Sequence, residues 1–291
     1  MTHGGDVPVA TQEVNQAQRE HWEHEGARLY REHTETNEAM IGPFGQAMLD
    51  VARLQPGEVV LDVGCGYGTS TLEAEERVTP TGRVVGVDIS AAMLEGARQR
   101  VVAAGLDDIE LLHADAQTHQ FAAGSFDAVI SRFGLMFFDD PTAAFGNLAR
   151  ALRPGGRLAF VCPQDPMKSE WVAVAFGAAI AVVGHPPELG SPGAPGAFAL
   201  ADPDRMSHLL AEAGFRDVHL DTVTRPVRLG RDLDSAAEYI LALPEARQLY
   251  DAQPPHVVGA LRSALTEAFA PYLSATGVVL DATAWLVTAR H

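Results

Sequence analysis

The chain has 291 residues, 47% hydrophobic and 20% charged, so it is long enough to bury a sizeable core and has the composition of a globular protein. Lys and Arg total 21 against 38 Asp and Glu, and the resulting formal charge of -17 repels a phosphate backbone, which argues against a nucleic-acid substrate. Met1–Arg19 lacks a secretory pattern, no apolar run reaches the length of a membrane span, and Cys65 and Cys162 lack zinc-site spacing, so a cytoplasmic setting without a metal is expected.

Residues 1–12 read as a frayed tail. Glu13–Arg31 is polar and helix-compatible, with Trp22, Leu29 and Tyr30 as its few anchors. Ile41–Leu54 repeats apolar residues at helical spacing through Phe44, Met48, Val51 and Leu54 until Pro56 and Gly57 stop it. Residues 1–55 are therefore expected to form an N-terminal helical lid.

From Glu58 onward short β-rich runs alternate with helical segments, the pattern of a parallel sheet covered on both faces. Strands are expected at Val59–Val63, Arg83–Val87, Ile109–His113, Phe126–Ser131 and Arg157–Cys162. Helices are expected to begin at Thr69–Glu76, to fill Ala91–Ala104, and to run over Pro141–Leu152 with proline in the first turn. After Cys162 the alternation lapses into an insertion whose Gly184–Gly196 stretch holds Pro186, Pro187, Pro192 and Pro195. A helix at Asp204–Ala213, a strand at Val218–Val223, a mainly helical stretch at Leu233–Leu273 and a last strand at Ala284–Ala289 complete the chain. Residues 56–291 thus read as the principal domain, with cap insertions at about 163–200 and 230–275.

The chemistry concentrates where the first strand ends. Gly64, Gly66 and Gly68 permit a tight strand-to-helix turn and a close backbone approach to a ligand. A dinucleotide fingerprint would place its third glycine at 69, where this chain has Thr69, and Asp62 inside the strand suits a cationic amino group better than a pyrophosphate. Asp88 follows the glycines by roughly 20 residues, the spacing at which an acid accepts from ribose hydroxyls in both kinds of nucleotide site. After the third strand, Asp115 is placed to accept from an adenine amino group while a neighbouring backbone N–H serves a ring nitrogen.

Taken together, Leu61–Gly68, Gly86–Ser90, Ala114–Ala116, Phe126–Asp127 and Leu152–Gly156 resemble the successive motifs of class I S-adenosylmethionine-dependent methyltransferases, in particular the ubiquinone/menaquinone-type superfamily of small-molecule enzymes. The resemblance covers about residues 56–165. It implies an α/β fold: a Rossmann-like, doubly wound, seven-stranded sheet of order 3-2-1-4-5-7-6 with the last strand antiparallel, under a mainly helical cap. It also implies a cofactor site made by Asp62, Gly64, Cys65, Gly66, Gly68, Asp88, Ile89, Met93, Asp115, Ala116, Gln117 and Ser131. Gly64 and Gly66 would pass under the methionine portion with Asp62 near its amino group, Ile89 would pack on adenine, and Ser131 would line the path to the acceptor. On that strand order no disulfide joins Cys65 and Cys162.

In-line methyl transfer from a sulfonium needs alignment and exclusion of water more than a covalent group on the enzyme. A base is required only if the acceptor must lose a proton, and His33, Glu170 and His185 are the candidates in the lid and cap. Tyr30, Arg132, Met136 and Trp171 are the candidate substrate residues, with Arg132 available for an anionic group and the aromatic residues for an apolar or aromatic acceptor. The expected partner is a small molecule, with no nucleic acid and no membrane span, and a homodimer stays open. An NAD-dependent oxidoreductase and a non-catalytic adenosyl-cofactor-binding protein remain as alternatives, because fold alone does not fix chemistry.

Overall fold

The computed structural model describes residues 14–106, 109–189, 193–251 and 253–291, so the tail expected at residues 1–12, Glu13 and Pro192 lie outside the described residues. Its strands are β1 (Val59–Val63), β2 (Arg83–Asp88), β3 (Ile109–His113), β4 (Phe126–Arg132), β5 (Leu152–Pro163), β6 (Arg216–Gly230), β7 (Leu273–Ser274) and β8 (Gly277–Arg290). They form one sheet of order β3-β2-β1-β4-β5-β8-β6, with the two-residue β7 paired beside β8. β1 to β5 are mutually parallel where they pair, and β8 runs antiparallel to both β5 and β6. Setting aside the short β7, this is the order 3-2-1-4-5-7-6 with the last strand reversed.

The helices are α1 (Gln16–Glu23), α2 (Glu25–Glu32), α3 (Thr34–Ala52), α4 (Thr69–Val78), α5 (Ala91–Ala104), α6 (Pro141–Ala151), α7 (Glu170–Val183), α8 (Pro203–Glu212), α9 (Leu233–Ala242), α10 (Pro244–Tyr250) and α11 (Pro255–Phe269). Alternate residues of each central strand feed opposite layers. Val60 and Ile130 pack with Met48, Leu49 and Phe269 on one face, whereas Leu61 and Val129 pack with Phe145, Leu148 and Leu210 on the other. Burial on both faces is why these strands read as unbroken apolar runs, and each fully buried leucine stabilises the fold by about 1.5–3 kcal/mol.

The structure departs from the sequence reading where only one face of an element is covered. β6 and β8 extend well beyond Val218–Val223 and Ala284–Ala289, into stretches whose polar and proline residues, such as Arg225, Pro226 and Asp281, interrupt the apolar run. Pro226 lies inside β6 and is tolerated because β6 is the edge strand of the sheet. The single helix-compatible run through Arg31 is broken at His24, whose φ of -119° and ψ of -85° turn α1 into α2. α3 begins at Thr34, earlier than Ile41, and its Met48 and Leu49 belong to the main core of the sheet. Among the described residues no helix is long and apolar enough to cross a membrane, and both cysteines are free and buried.

Candidate active site

The carboxyl ends of β1, β2, β3 and β4 open into a cavity of about 740 Å³, roofed by residues of α1, α2, α3, α7 and α9–α11. This volume lies within the roughly 300–1,000 Å³ of small-molecule sites, and its position outside the carboxyl ends of parallel strands is where the doubly wound fold binds ligands.

At one end the glycine turn forms the floor. Gly64 and Gly66 take positive φ values of 66° and 54°, and a Cβ on Gly66 would come within 3.2 Å of the Met93 side chain. A Cβ on Gly64 would come within 2.9 Å of the Gly134 backbone, so the turn and the loop after β4 cross at a distance only glycine allows. Asp88 sits on the wall with Oδ2 accepting the Gly66 N–H at 2.8 Å and Oδ1 accepting the Ser90 N–H at 2.9 Å. Burial raises its carboxyl above the usual range, against the pull of those two amides. Ile89, Ala114, Asp115 and Ala116 continue the wall, and Asp115 Oδ1 accepts the Gln117 N–H at 2.9 Å.

At the other end the lining is apolar and comes from helices: Met40 and Phe44 from α3, Trp171 and Phe176 from α7, Ile240 from α9 and Leu261 from α11. Polar groups here are few and tied to one another. The Tyr239 hydroxyl donates to Asn37 Oδ1 at 2.8 Å. Gln164, 1% exposed and on the cavity wall, donates to Thr222 and Ala284 while its Oε1 has no partner among the described residues.

Between the two ends lies an ionic hub of buried Arg132 and partly buried Glu38. Arg132 donates to both oxygens of Glu38, at 2.8 and 3.0 Å, and Glu38 also accepts from the hydroxyls of Tyr30 and Thr69, the latter at 3.1 Å. Burial pushes the Glu38 carboxyl up, but the Arg132 guanidinium outweighs it and the net shift is downward. Tyr30 stacks on Tyr67 at 5.0 Å between ring centroids, and Arg100 braces the same turn through the Tyr67 carbonyl at 3.0 Å.

Of the expected cofactor residues, Gly64, Cys65, Gly66, Asp88, Ile89, Met93, Asp115 and Ala116 line the cavity. Four do not. Gly68, with φ 77°, starts α4 below the floor, and Gln117 supports Asp115 from behind. Ser131 is fully buried and donates its hydroxyl to the Val63 carbonyl at 2.7 Å, holding β4 against β1 where it was expected to line a path. Asp62 shares the strand parity of Val60, so its carboxylate points to the first turn of α4, where the Ser70 and Thr71 hydroxyls each donate to Oδ2 at 2.7 Å. Its Oδ1 has no partner among the described residues, and burial raises its carboxyl to about 6 in spite of those hydroxyls.

Tyr30, Arg132, Met136 and Trp171 all reach the wall. Arg132, however, is not free for an anionic substrate, because Glu38 occupies its fork. The three candidate bases are off the wall. His33 packs edge-on to Tyr239, Glu170 is exposed and accepts the Asp281 N–H, and His185 is exposed with its ring beside the Pro186 carbonyl. Asn15, His21, Asn37, Glu38 and Gln164 escaped the sequence reading. They lie in polar segments or just past a strand end, where no glycine or spacing pattern marks them.

A family model described as a methyltransferase domain matches residues 60–156. Aklanonic acid methyltransferase from Streptomyces sp. (strain C5) is 40% identical over 121 residues, which are 42% of this chain and 55% of that protein. Nocamycin O-methyltransferase from Saccharothrix syringae is 33% identical over 193 residues, covering 63% of this chain and 69% of that one. The chain thus spans about half the length of the first relative and about two thirds of the second. Among solved structures, phosphoethanolamine N-methyltransferase 2 of Haemonchus contortus in complex with S-adenosyl-L-methionine superposes with a TM-score of 0.58 at 19% identity, over 94% of this chain and 59% of that one, a likeness of fold.

Proposed function

Because this chain belongs to the class I S-adenosylmethionine-dependent methyltransferases, we propose that it transfers a methyl group from that cofactor to a small, apolar or aromatic organic acceptor by in-line displacement. The observation that carries the reading is a single cavity with the glycine turn, Asp88 and Asp115 at one end and an aliphatic and aromatic chamber at the other. The residues present fit the cofactor: a Cβ at Gly66 would fill part of the cradle, two carboxylates face the cavity from neighbouring strand tips, and the unpaired Asp62 oxygen supplies negative charge beneath the turn.

In this reading Asp88 accepts from the ribose hydroxyls, Ile89 packs on the adenine face, and Asp115 with the Ala116 amide reads the adenine edge. Asp62 acts on the amino group through the field and through Ser70, which stands on the wall and donates to it. When bound, the cofactor supplies an electrophilic methyl on a sulfonium. The chain supplies orientation and a dry chamber, which in ideal cases are together worth on the order of 7–11 kcal/mol. Glu38 already accepts four hydrogen bonds, two of them from the Arg132 guanidinium that holds its carboxyl below the usual range, so it is a poor base for the acceptor. With Arg132 engaged, the chamber favours an uncharged acceptor. Residues 14–32 of the lid cover the adenosine end, the cap helices α7 and α9–α11 enclose the acceptor, and the buried free thiols suit a reducing, cytoplasmic setting.

Isothermal titration with S-adenosylmethionine and NAD, followed by incubation of the full chain with methyl-labelled cofactor and an organic-solvent extract of cells, tests this. Binding of the sulfonium cofactor alone and label in an extractable product are expected. Heat with NAD only, or cofactor binding with no labelled product, would remove the assignment.

A further inference from the structure

Asn15 is 2% exposed and lines the cavity from the start of the chain's described part. Its Nδ2 donates to both oxygens of Asp115, at 3.0 Å to Oδ1 and 2.9 Å to Oδ2, and to Gln117 Oε1 at 3.1 Å. Its other groups clasp Asp139: the Asn15 N–H donates to Asp139 Oδ2 at 2.5 Å, and the Asp139 N–H donates to Asn15 Oδ1 at 2.6 Å. The backbone at Asn15 takes φ 55° and ψ 22°, a left-handed conformation that asparagine adopts more readily than most residues. Every polar group that Asn15 carries in its side chain is therefore spent on residues after β3 and β4.

A carboxylate oxygen offers two acceptor positions. Those of Asp115 Oδ1 are filled by the Gln117 N–H and by Asn15, while Oδ2 takes only Asn15 and keeps one position open. We infer that Asn15 belongs to the cofactor site as a positioning residue: the Asp115 carboxylate, which can only accept, selects a purine with a 6-amino donor over one with a 6-oxo acceptor, and Asn15 fixes that carboxylate so that the open position on Oδ2 meets the base. The inference rests on the proposed role of Asp115 at the adenine edge. It assigns purine selectivity to a residue 100 positions upstream of the acid that reads the base.

Asn15 also holds the first helix down, and that covering role must be separated from selectivity. Further along the same helix, Glu23 accepts the Ala91 N–H at 2.8 Å, and the Trp22 carbonyl accepts from the Ser90 hydroxyl at 2.8 Å. Glu23→Ala loosens the strap there while leaving Asp115 untouched.

The experiment is titration of the full chain with S-adenosylhomocysteine and with its hypoxanthine counterpart, S-inosylhomocysteine. The unaltered protein should bind the adenine compound at least about tenfold more tightly, since a site built for an N–H donor rejects an analogue lacking it. Asn15→Ala should weaken the adenine compound by about tenfold, the loss expected for a hydrogen bond to a charged group, and should shrink the preference toward unity. Glu23→Ala should weaken both compounds by one common factor and keep the preference. If Asn15→Ala does not fold by circular dichroism, Asn15→Ser provides the same readout with a smaller change. Equal losses for both compounds in the Asn15 variant, with the preference intact, would overturn the inference and leave the role of Asp115 standing. Failure of the unaltered protein to bind the adenine compound, or an Asp115→Asn variant with unchanged preference, would instead overturn the underlying reading and the inference with it.

Discussion

Asp88, Ile89 and Asp115 reach one end of the cavity from loops at the tips of adjacent parallel strands, whereas Trp171, Ile240 and Leu261 reach the other end from three helices far apart in the chain. The first end is fixed by backbone: strand register places Asp88 beside His113, two residues before Asp115, and amide N–H groups hold both carboxylates. The second end is fixed by packing, with few polar groups and no shared spacing. A cofactor common to many enzymes is suited to the first kind of construction and a varied acceptor to the second, because helices can be repacked without disturbing the sheet.

The hub between them offers the largest way to break this arrangement. Arg132→Met leaves the partly buried Glu38 without its counterion, and since removing one partner of a fully buried pair costs about 3–5 kcal/mol, the loss here should lie at or below the lower end of that range. Chemical denaturation should show that loss, and the double variant Arg132→Met with Glu38→Gln should recover much of it. Both ends should weaken together, since Glu38 ties α3 to the turn at Thr69.

Asp62 tests the cofactor end through pH. Its carboxyl is raised to about 6 in the folded chain by burial, above the unfolded value of about 3.9. A group raised in this way contributes stability that is present below the unfolded value and lost as the pH climbs through 6. That loss is worth roughly 3 kcal/mol for a shift of this size. Relative to Asp62→Asn, the unliganded protein should therefore lose stability between about pH 4 and 6. A bound cation favours the ionised form, so cofactor affinity should rise over the same interval and flatten in Asp62→Asn, as titration at several pH values would show.

Two smaller changes address one end each. Asp88→Ala should weaken cofactor binding by about 1–3 kcal/mol without altering the helical chamber. Unchanged affinity in a folded variant would contradict the ribose role. Tyr239→Phe removes one buried hydrogen bond to Asn37 and should cost about 1 kcal/mol of stability, read by denaturant midpoint, with cofactor affinity unmoved.

The same contrast separates what the sequence makes legible from what it hides. Strands β1, β2, β4 and β5 and the glycine turn were legible because burial on both faces leaves apolar runs, and because positive φ values at Gly64 and Gly66 demand glycine; the edge strand β3, only partly buried, was legible from its place in the alternation. The direction of Asp62 was not, since its parity with Val60 matters only once the α3–α4 layer is known to lie on that side. The partner of Ser131 was not legible for a related reason: a hydroxyl at a strand end serves a neighbouring carbonyl as readily as a ligand. Glu38 and Asn15 act across long stretches of sequence on Arg132 and Asp115, and no local pattern encodes such partners. His33, Glu170 and His185 lie off the cavity wall, because chain segments near the cap present surface to solvent as well as to the cavity.

A crystal structure with S-adenosylhomocysteine bound is the most direct measurement of the central claim, that one cavity joins an adenosine end to an acceptor chamber. The account predicts ribose hydroxyls on Asp88, the adenine amino group on Asp115 and the sulfur facing the space between Tyr30 and Trp171. A nucleoside held anywhere else, or a sulfur turned toward bulk solvent, would contradict it.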